Sequence, residues 1–430
     1  MASELLKAFQ EAYRNLDLLP LIDPKELEKF RVDYGAEVLE ELQQLVEDDD
    51  SCNGKIIFAG HRGCGKSTLL AEFGRQCSDR YFVVFFSISD TIEMSDVNHI
   101  NILFAIAVNL MYEAEKHQVN IAKSTKDGFY KWFATRTQIE TEAINTEVST
   151  GFDLLKSISG KLKAEATIRR EIKREFERNI SDLVAPIEQM AAVIQAATKK
   201  EVLVIIDDLD KLDLAVVKEV YQDHIKALFQ PNFRIIFTTP ISSLRETSLR
   251  ATIRTEANDI VEMPVVKLFA KGERRKPDPI PRPEAEKTLC EILRKRIAPG
   301  LMEDSIAEQI VFYSGGVLRE LIRITNKCCQ ICSRSIRRQP ERTDIVINQA
   351  VLQEAIKDLR LDFEVPLGKV DYQILQTTYQ EFTPDDPKDQ KFLDLLHGLH
   401  ILEYQNDEIW YDAHPIVIDL LKRKGLIHDT

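Results

Sequence analysis

Gly60-His61-Arg62-Gly63-Cys64-Gly65-Lys66-Ser67-Thr68 follows a short apolar run, Ile56-Ile57-Phe58-Ala59, and opens a segment that reads as helix from Thr68 to about Arg75. Strand, glycine-rich turn and helix, with four residues between Gly60 and Gly65-Lys66-Ser67, form the context that a phosphate-binding loop requires. The glycines let the backbone turn its N–H groups inward around phosphate oxygens. The helix N-terminus adds partial positive charge. Lys66 can then reach the outer phosphates as a point charge, and Ser67 can offer its hydroxyl to Mg²⁺. Residues Gly60, His61, Arg62, Gly63, Cys64, Gly65, Lys66, Ser67 and Thr68 together read as a nucleotide-binding loop.

The composition sets the frame around that loop. A chain of 430 residues with 44% apolar and 30% charged residues is that of a soluble globular protein, large enough for roughly two to four domains. The net charge of −13 argues against bulk affinity for nucleic acid, which rests on neutralising phosphates. The N-terminus lacks a signal-peptide pattern, and no apolar run approaches the ~20 residues that span a bilayer. The expected location is the cytoplasm, without membrane contact. Seven cysteines show no disulfide or metal framework. Cys328, Cys329 and Cys332 read as buried free thiols.

Residues 1–50 read as helices over Glu4–Leu16, Pro24–Phe30 and Ala36–Leu45, ending in the acidic run Glu47-Asp48-Asp49-Asp50. Tyr81–Ile88 is a near-continuous apolar run, expected to be a strand buried on both faces, and 98–116 reads as helix. Residues 117–200 carry no buried-strand pattern. After a polar middle, Thr135–Thr150, apolar residues from Ile168 to Ile194 recur at spacings of three and four. Arg169, Arg170, Lys173 and Arg174 are expected on the opposite, polar face, and Pro186 is expected to kink or split the segment. This insertion reads either as a partner surface or as helix packed on the sheet.

Val202-Leu203-Val204-Ile205-Ile206 leads into Asp207-Asp208-Leu209-Asp210, a buried strand ending in paired carboxylates. Asp207 is placed to hold Mg²⁺ and Asp208 to orient or deprotonate an attacking water. Phe233–Thr238 and Ile260–Val266 read as the remaining strands, and the segment between them carries Arg245, Arg250 and Arg254. Residues 270–283 hold Lys271, Arg274, Arg275 and Lys276 among four prolines, the pattern of an extended linker whose cations either meet phosphate or stay solvated. Residues 284–360 read as about four helices, the longest opened by Gly315-Gly316-Val317-Leu318-Arg319. Arg319 there is either a γ-phosphate contact between domains or a surface arginine. Residues 361–430 read as helices, a hairpin turning at Gln405-Asn406-Asp407-Glu408 and a last helix, with 6 Lys/Arg against 14 Asp/Glu. A DNA-reading face is basic, so protein contact is the favoured reading of this segment.

Together these residues resemble the AAA+/STAND group of P-loop ATPases, in its signalling and origin-recognition-like branches. Gly60–Thr68 is similar to its phosphate loop. Ile205-Ile206-Asp207-Asp208-Leu209-Asp210 resembles the STAND and KAP form of its acidic motif, with Asp where most AAA+ enzymes have Glu. Gly315–Arg319 resembles the second sensor of a helical lid. The resemblance implies an α/β core with a five-stranded parallel sheet and a strand inserted between the two nucleotide-binding strands. It also implies a helical lid and a C-terminal winged-helix-like domain. The expected division is 1–50 N-terminal helices, 51–269 ATPase core with the insertion 117–200, 270–283 linker, 284–360 lid and 361–430 winged-helix-like domain. Thr239, with Thr238 second, is the implied first sensor, where many STAND members carry an arginine near the place of Pro240. Arg250 and Arg254 are the candidate trans-acting arginines. Phe30, Val32 and Tyr34 are candidates for an adenine pocket or for simple core.

The implied activity is binding and slow hydrolysis of ATP with Mg²⁺, slow because Asp208 reaches less far than Glu. Lys66, Asp208, Thr239, Arg319, Arg250 and Arg254 are the catalytic candidates; Ser67 and Asp207 are the metal candidates. Nucleotide state would control oligomerisation or a protein partner bound through 117–200 or the C-terminal domain. The alternative is a DNA-associated loader or remodeller, and a third reading is an inactive nucleotide-dependent scaffold.

Overall fold

The computed structural model describes residues 2–48, 53–139, 151–405 and 408–428. Asp49 and Asp50 of the acidic run, residues 140–150 of the polar middle, and Asn406 and Asp407 of the expected turn lie outside them. The chain divides into two compact units. One comprises Glu37–Ala59 and Leu69–Glu262; the other comprises Met1–Ala36, Gly60–Thr68 and Met263–Thr430.

The first unit is built on a sheet of β1 (Lys55–Gly60), β2 (Tyr81–Ser87), β3 (Glu201–Asp207), β4 (Arg234–Pro240) and β5 (Asp259–Met263), whose outermost residues run into the second unit. Their order is β2-β3-β4-β1-β5, so β4 lies between β1 and β3. β1 and β4 are buried at every residue, with apolar cores Ile56–Ala59 and Ile235–Phe237. β2 is an edge strand, and its burial alternates with Val83, Phe85 and Ser87 half-buried. The expectation of two buried faces there is thus corrected: Val83, Phe85 and Ser87 alternate onto one face, and that face is only half covered. β2 and β3 run parallel in the register Phe86↔Ile206 and Ser87↔Asp207. That register carries Ser87 to the acidic end of β3.

The helical insertion packs onto this sheet unit. Helices Gly151–Ala164, Ala166–Phe176 and Ser181–Thr198 lie against helix His99–Lys116, and Ser181–Thr198 also meets β2 and β3. Ile168, Ile172, Phe176, Leu183, Ile187, Met190 and Ile194 are buried as the spacing predicts. Two details differ. The break falls between Phe176 and Ser181, ahead of Pro186, which sits inside the second helix. Arg169 belongs to the buried side: its Nε and NH2 donate to Asp96 Oδ2 at 2.9 and 2.6 Å, which compensates the buried charge.

In the second unit, helix Ala2–Asn15 packs on helix Leu318–Arg338, which is followed by helix Gln349–Glu364. The C-terminal segment holds helices Lys369–Glu381 and Gln390–His397, then β6 (Ile401–Gln405) paired antiparallel with β7 (Ile409–Ala413), then helix Pro415–Arg423. Tyr404 and Trp410 stack at 4.5 Å between centroids, in a core with Val265, Val317, Leu399, Leu402 and Phe382. Within the linker, Arg274 and Arg275 are not solvated, while Lys276 is exposed. Arg274 and Arg275 both pair with the buried Asp412 of β7, at 3.2 and 3.1 Å, and the Arg275 guanidinium lies 3.5 Å from the Phe382 ring centroid. Lys271 pairs with Glu408. Prolines space the chain, but ion pairs pin it to the hairpin.

Candidate functional site

The phosphate loop leaves β1 at Gly60 and enters helix Lys66–Gln76. Gly63 at φ +83° and Gly65 at φ +101° hold left-handed backbone that other residues resist. Lys66 is buried, and its Nζ donates to Gly60 O at 3.0 Å and His61 O at 2.7 Å. The ammonium is therefore held inside the curl of the loop. Cys64 is buried beside it, 2% exposed. Leu21 N donates to Thr68 Oγ1 at 3.0 Å, and the Tyr34 hydroxyl donates to Gly65 O at 3.1 Å. A methyl group on Gly65 would overlap the Tyr34 phenol, and one on Gly63 would overlap Arg319.

Residues far along the chain close on this loop within the same unit. Arg319 N donates to Gly63 O at 2.9 Å, at the start of helix Leu318–Arg338. Glu403 N, in β6, donates to His61 Nε2 at 2.9 Å, which requires the neutral acceptor form at that nitrogen. Tyr404 Oη donates to Gly315 O at 2.8 Å, fixing the glycine turn that leads to Arg319. Phe30 and Val32 are buried beside the same segment that presents Tyr34.

The acidic corner is at the end of β3. Asp207, Asp208 and Asp210 are buried, and one ligand atom from each lies within 4.8 Å of the others. This donor set of hard carboxylate oxygens fits a Mg²⁺-sized cation. Asp208 takes φ +70°, a conformation that only a short polar side chain enters at low cost. Its Oδ2 accepts from Ser87 Oγ at 2.6 Å and Ser89 Oγ at 2.8 Å, and Lys211 Nζ lies 2.5 Å from Oδ1. Burial works against the Asp208 charge, but hydrogen bonds from Lys211, Ser87 and Ser89 outweigh it and hold the carboxyl below the usual carboxylate range. None of these three partners is legible in the sequence around Asp208. Only the parallel register of β2 on β3, which no local pattern reports, carries Ser87 there.

The other expected site residues are placed as follows. Thr238 Oγ1 donates to Ile206 O and accepts from Leu209 N, so it braces the acidic turn. Thr239 is fully buried, with its hydroxyl 3.0 Å from Ser243 Oγ. Arg250 pairs with Glu262 at 3.4 Å, while Arg254 is exposed. The Cys328, Cys329 and Cys332 thiols are buried, and burial raises all three, Cys329 and Cys332 to about 12, so they resist ionisation.

A family model described as the KAP family P-loop domain matches residues 40–262, more than half of the chain. The chain belongs to that family. The match spans both the phosphate loop and the acidic corner of this KAP-family protein, which makes it a P-loop protein of nucleotide-binding type. Comparison with curated proteins gives no significant match. Among solved structures, Cdc6p from Pyrobaculum aerophilum aligns with TM-score 0.41 and 12% identity over 95% of this chain and 98% of that one. A RuvB point mutant from Thermotoga maritima aligns with TM-score 0.35 and 14% identity over 94% and 95%. Likeness at this level assigns no role to any residue. Among the described residues, no helix is long and apolar enough to cross a membrane.

Proposed function

We propose that this KAP-family protein binds ATP with Mg²⁺ and hydrolyses it slowly as a molecular switch. The observation that carries the reading is the bond from Arg319 N to Gly63 O: the first turn of the long lid helix rests on the phosphate loop itself. A ligand that reshapes the loop acts directly on that helix and, through Gly315 and Tyr404, on the C-terminal hairpin. Gly60–Thr68 supplies backbone N–H groups and the Lys66 charge to the phosphates. Ser67 and Asp207 would hold Mg²⁺, which supplies charge neutralisation between phosphate oxygens. Asp208 orients the attacking water, and its bonds to Ser87, Ser89 and Lys211 support the slow rate by keeping its basicity low. Thr239 and Arg319 are the candidate sensors; Arg250 and Arg254 are the candidate trans-acting arginines, of which exposed Arg254 is the better placed to reach another molecule.

In this reading the C-terminal segment is winged-helix-like and passes the nucleotide state to a second copy or a protein partner. The exposed Arg170 and Arg174 of the insertion offer a further partner face. DNA contact is the lesser alternative, because Arg274 and Arg275 already neutralise Asp412. Sedimentation with and without ATP tests the switch. The unmodified protein is expected to change its size distribution, Lys66→Ala to remain in the nucleotide-free distribution, and Asp208→Asn to persist in the ATP distribution. Identical distributions for all three proteins in both conditions would end this reading.

A further inference from the structure

Of the arginines among the described residues, Arg169, Arg234 and Arg296 are buried, at 4%, 6% and 8% exposure. Arg169 pairs with Asp96 and Arg234 with Glu201. Arg296 pairs with no carboxylate among the described residues. Its NH1 donates to Ile292 O at 3.0 Å and Phe30 O at 3.3 Å, and the guanidinium lies 5.1 Å from the Phe30 ring centroid. Nε and NH2 make no hydrogen bond there. A desolvated guanidinium without a counter-charge is unfavourable, and its burial pulls the group down to about 10.

The surroundings are cationic and close to the phosphate loop. Lys295 Nζ donates to Arg31 O at 2.6 Å, and Arg31 lies over the Tyr34 ring with its NH2 on Tyr34 O at 3.1 Å. The Tyr34 hydroxyl in turn rests on Gly65 O. Arg296, Lys295 and Arg31 therefore gather on residues 30–34, the segment whose Tyr34 touches the loop.

We propose that Arg296 is an anion-binding residue of the nucleotide site, its free N–H groups pairing with a phosphate of a nucleotide bound at Gly60–Thr68. The proposal rests on the nucleotide-binding reading. An arginine suits the task because its planar fork spans two phosphate oxygens, which an ammonium cannot do. The missing carboxylate is then the ligand's own charge.

Calorimetric titration of the full chain with ADP, inorganic pyrophosphate and adenosine tests this, alongside thermal unfolding. Arg296→Gln is expected to weaken ADP and pyrophosphate at least about tenfold and to leave adenosine unchanged. Without ligand its melting temperature is expected to be no lower than that of the unmodified protein, because an uncompensated buried charge has gone. Arg296→Lys, which keeps charge and bulk, is expected to lose part of the affinity, and it decides the matter should Arg296→Gln fail to fold. Unchanged ADP affinity in either folded variant overturns the proposal. So does a lower ligand-free melting temperature with an unchanged ADP-induced shift, the signature of a purely structural brace. Lys66→Ala separates the two claims: if it binds ADP like the unmodified protein, the nucleotide-site reading fails with it.

Discussion

The phosphate loop and the acidic corner are both buried and polar, yet they are held in opposite ways. The loop's partners come from far along the chain: Tyr34, Arg319 and Glu403 reach Gly65, Gly63 and His61. The acidic corner is held by side chains of the sheet unit itself: Ser87 at the end of β2, Ser89 just beyond it, and Lys211 in the turn after β3. Each bond on the loop has a backbone group at one end at least, and the Arg319 N bond to Gly63 O has one at both, so that bond survives side-chain replacement and fails only if the lid helix shifts. The bonds on Asp208 are side chain to side chain and can be removed singly. The loop is therefore suited to report global rearrangement, and the acidic corner to set a local rate.

The largest expected effect attacks the scaffold around the loop. Asp412→Asn leaves Arg274 and Arg275, 9% and 13% exposed, without their shared counter-charge. Breaking a buried pair this way costs about 3–5 kcal/mol. Denaturant unfolding is expected to register that loss, and ATP affinity to fall with it. A loss confined to stability would detach the hairpin from the loop.

Gly65→Ala comes next. It forces a side chain into φ +101° and against Tyr34, and backbone strain alone costs of order 1–3 kcal/mol. Adding Tyr34→Ala is expected to restore the steric share of stability but not the backbone share, so the double variant falls between the single variant and the unmodified protein in melting temperature. Full restoration would show that the loop's backbone is unstrained.

In the sheet unit, His99 stacks on His224 at 4.0 Å, and burial, then His224 and Lys173, lower it to about 4 from 6.5. An unfolded chain takes up this proton below pH 6.5 while the folded one refuses it until about 4. Stability is thus full above 6.5 and declines by about 1.4 kcal/mol per pH unit across that window. His99→Gln is expected to flatten that part of the unfolding profile. The smallest effect is local: Ser87→Ala or Ser89→Ala is expected to change turnover by roughly tenfold or less, with ADP affinity unchanged. A matching change in ADP affinity would mean that the corner is not independent of the loop.

Much of this was legible in the sequence, and the reasons differ by region. Ile56–Ala59 and Val202–Ile206 announce central strands because both faces are buried, and the glycine spacing of the loop follows from backbone geometry alone. Tyr81–Ile88 looks equally central, yet β2 is an edge, because an apolar run does not report how many neighbours a strand has. Arg169, Arg275 and Arg296 look like surface charge. Each is enclosed by residues distant in sequence, and nothing local distinguishes a buried arginine from a solvated one. His61 gives no hint that it accepts a hydrogen bond from Glu403, 342 residues away.

The most direct test of the account is equilibrium binding of ATP in the presence of Mg²⁺ to the unmodified protein and to Lys66→Ala. Saturable one-to-one binding that Lys66→Ala weakens by roughly tenfold to a hundredfold is the predicted result. Equal binding by the two proteins, or none by either, would contradict it.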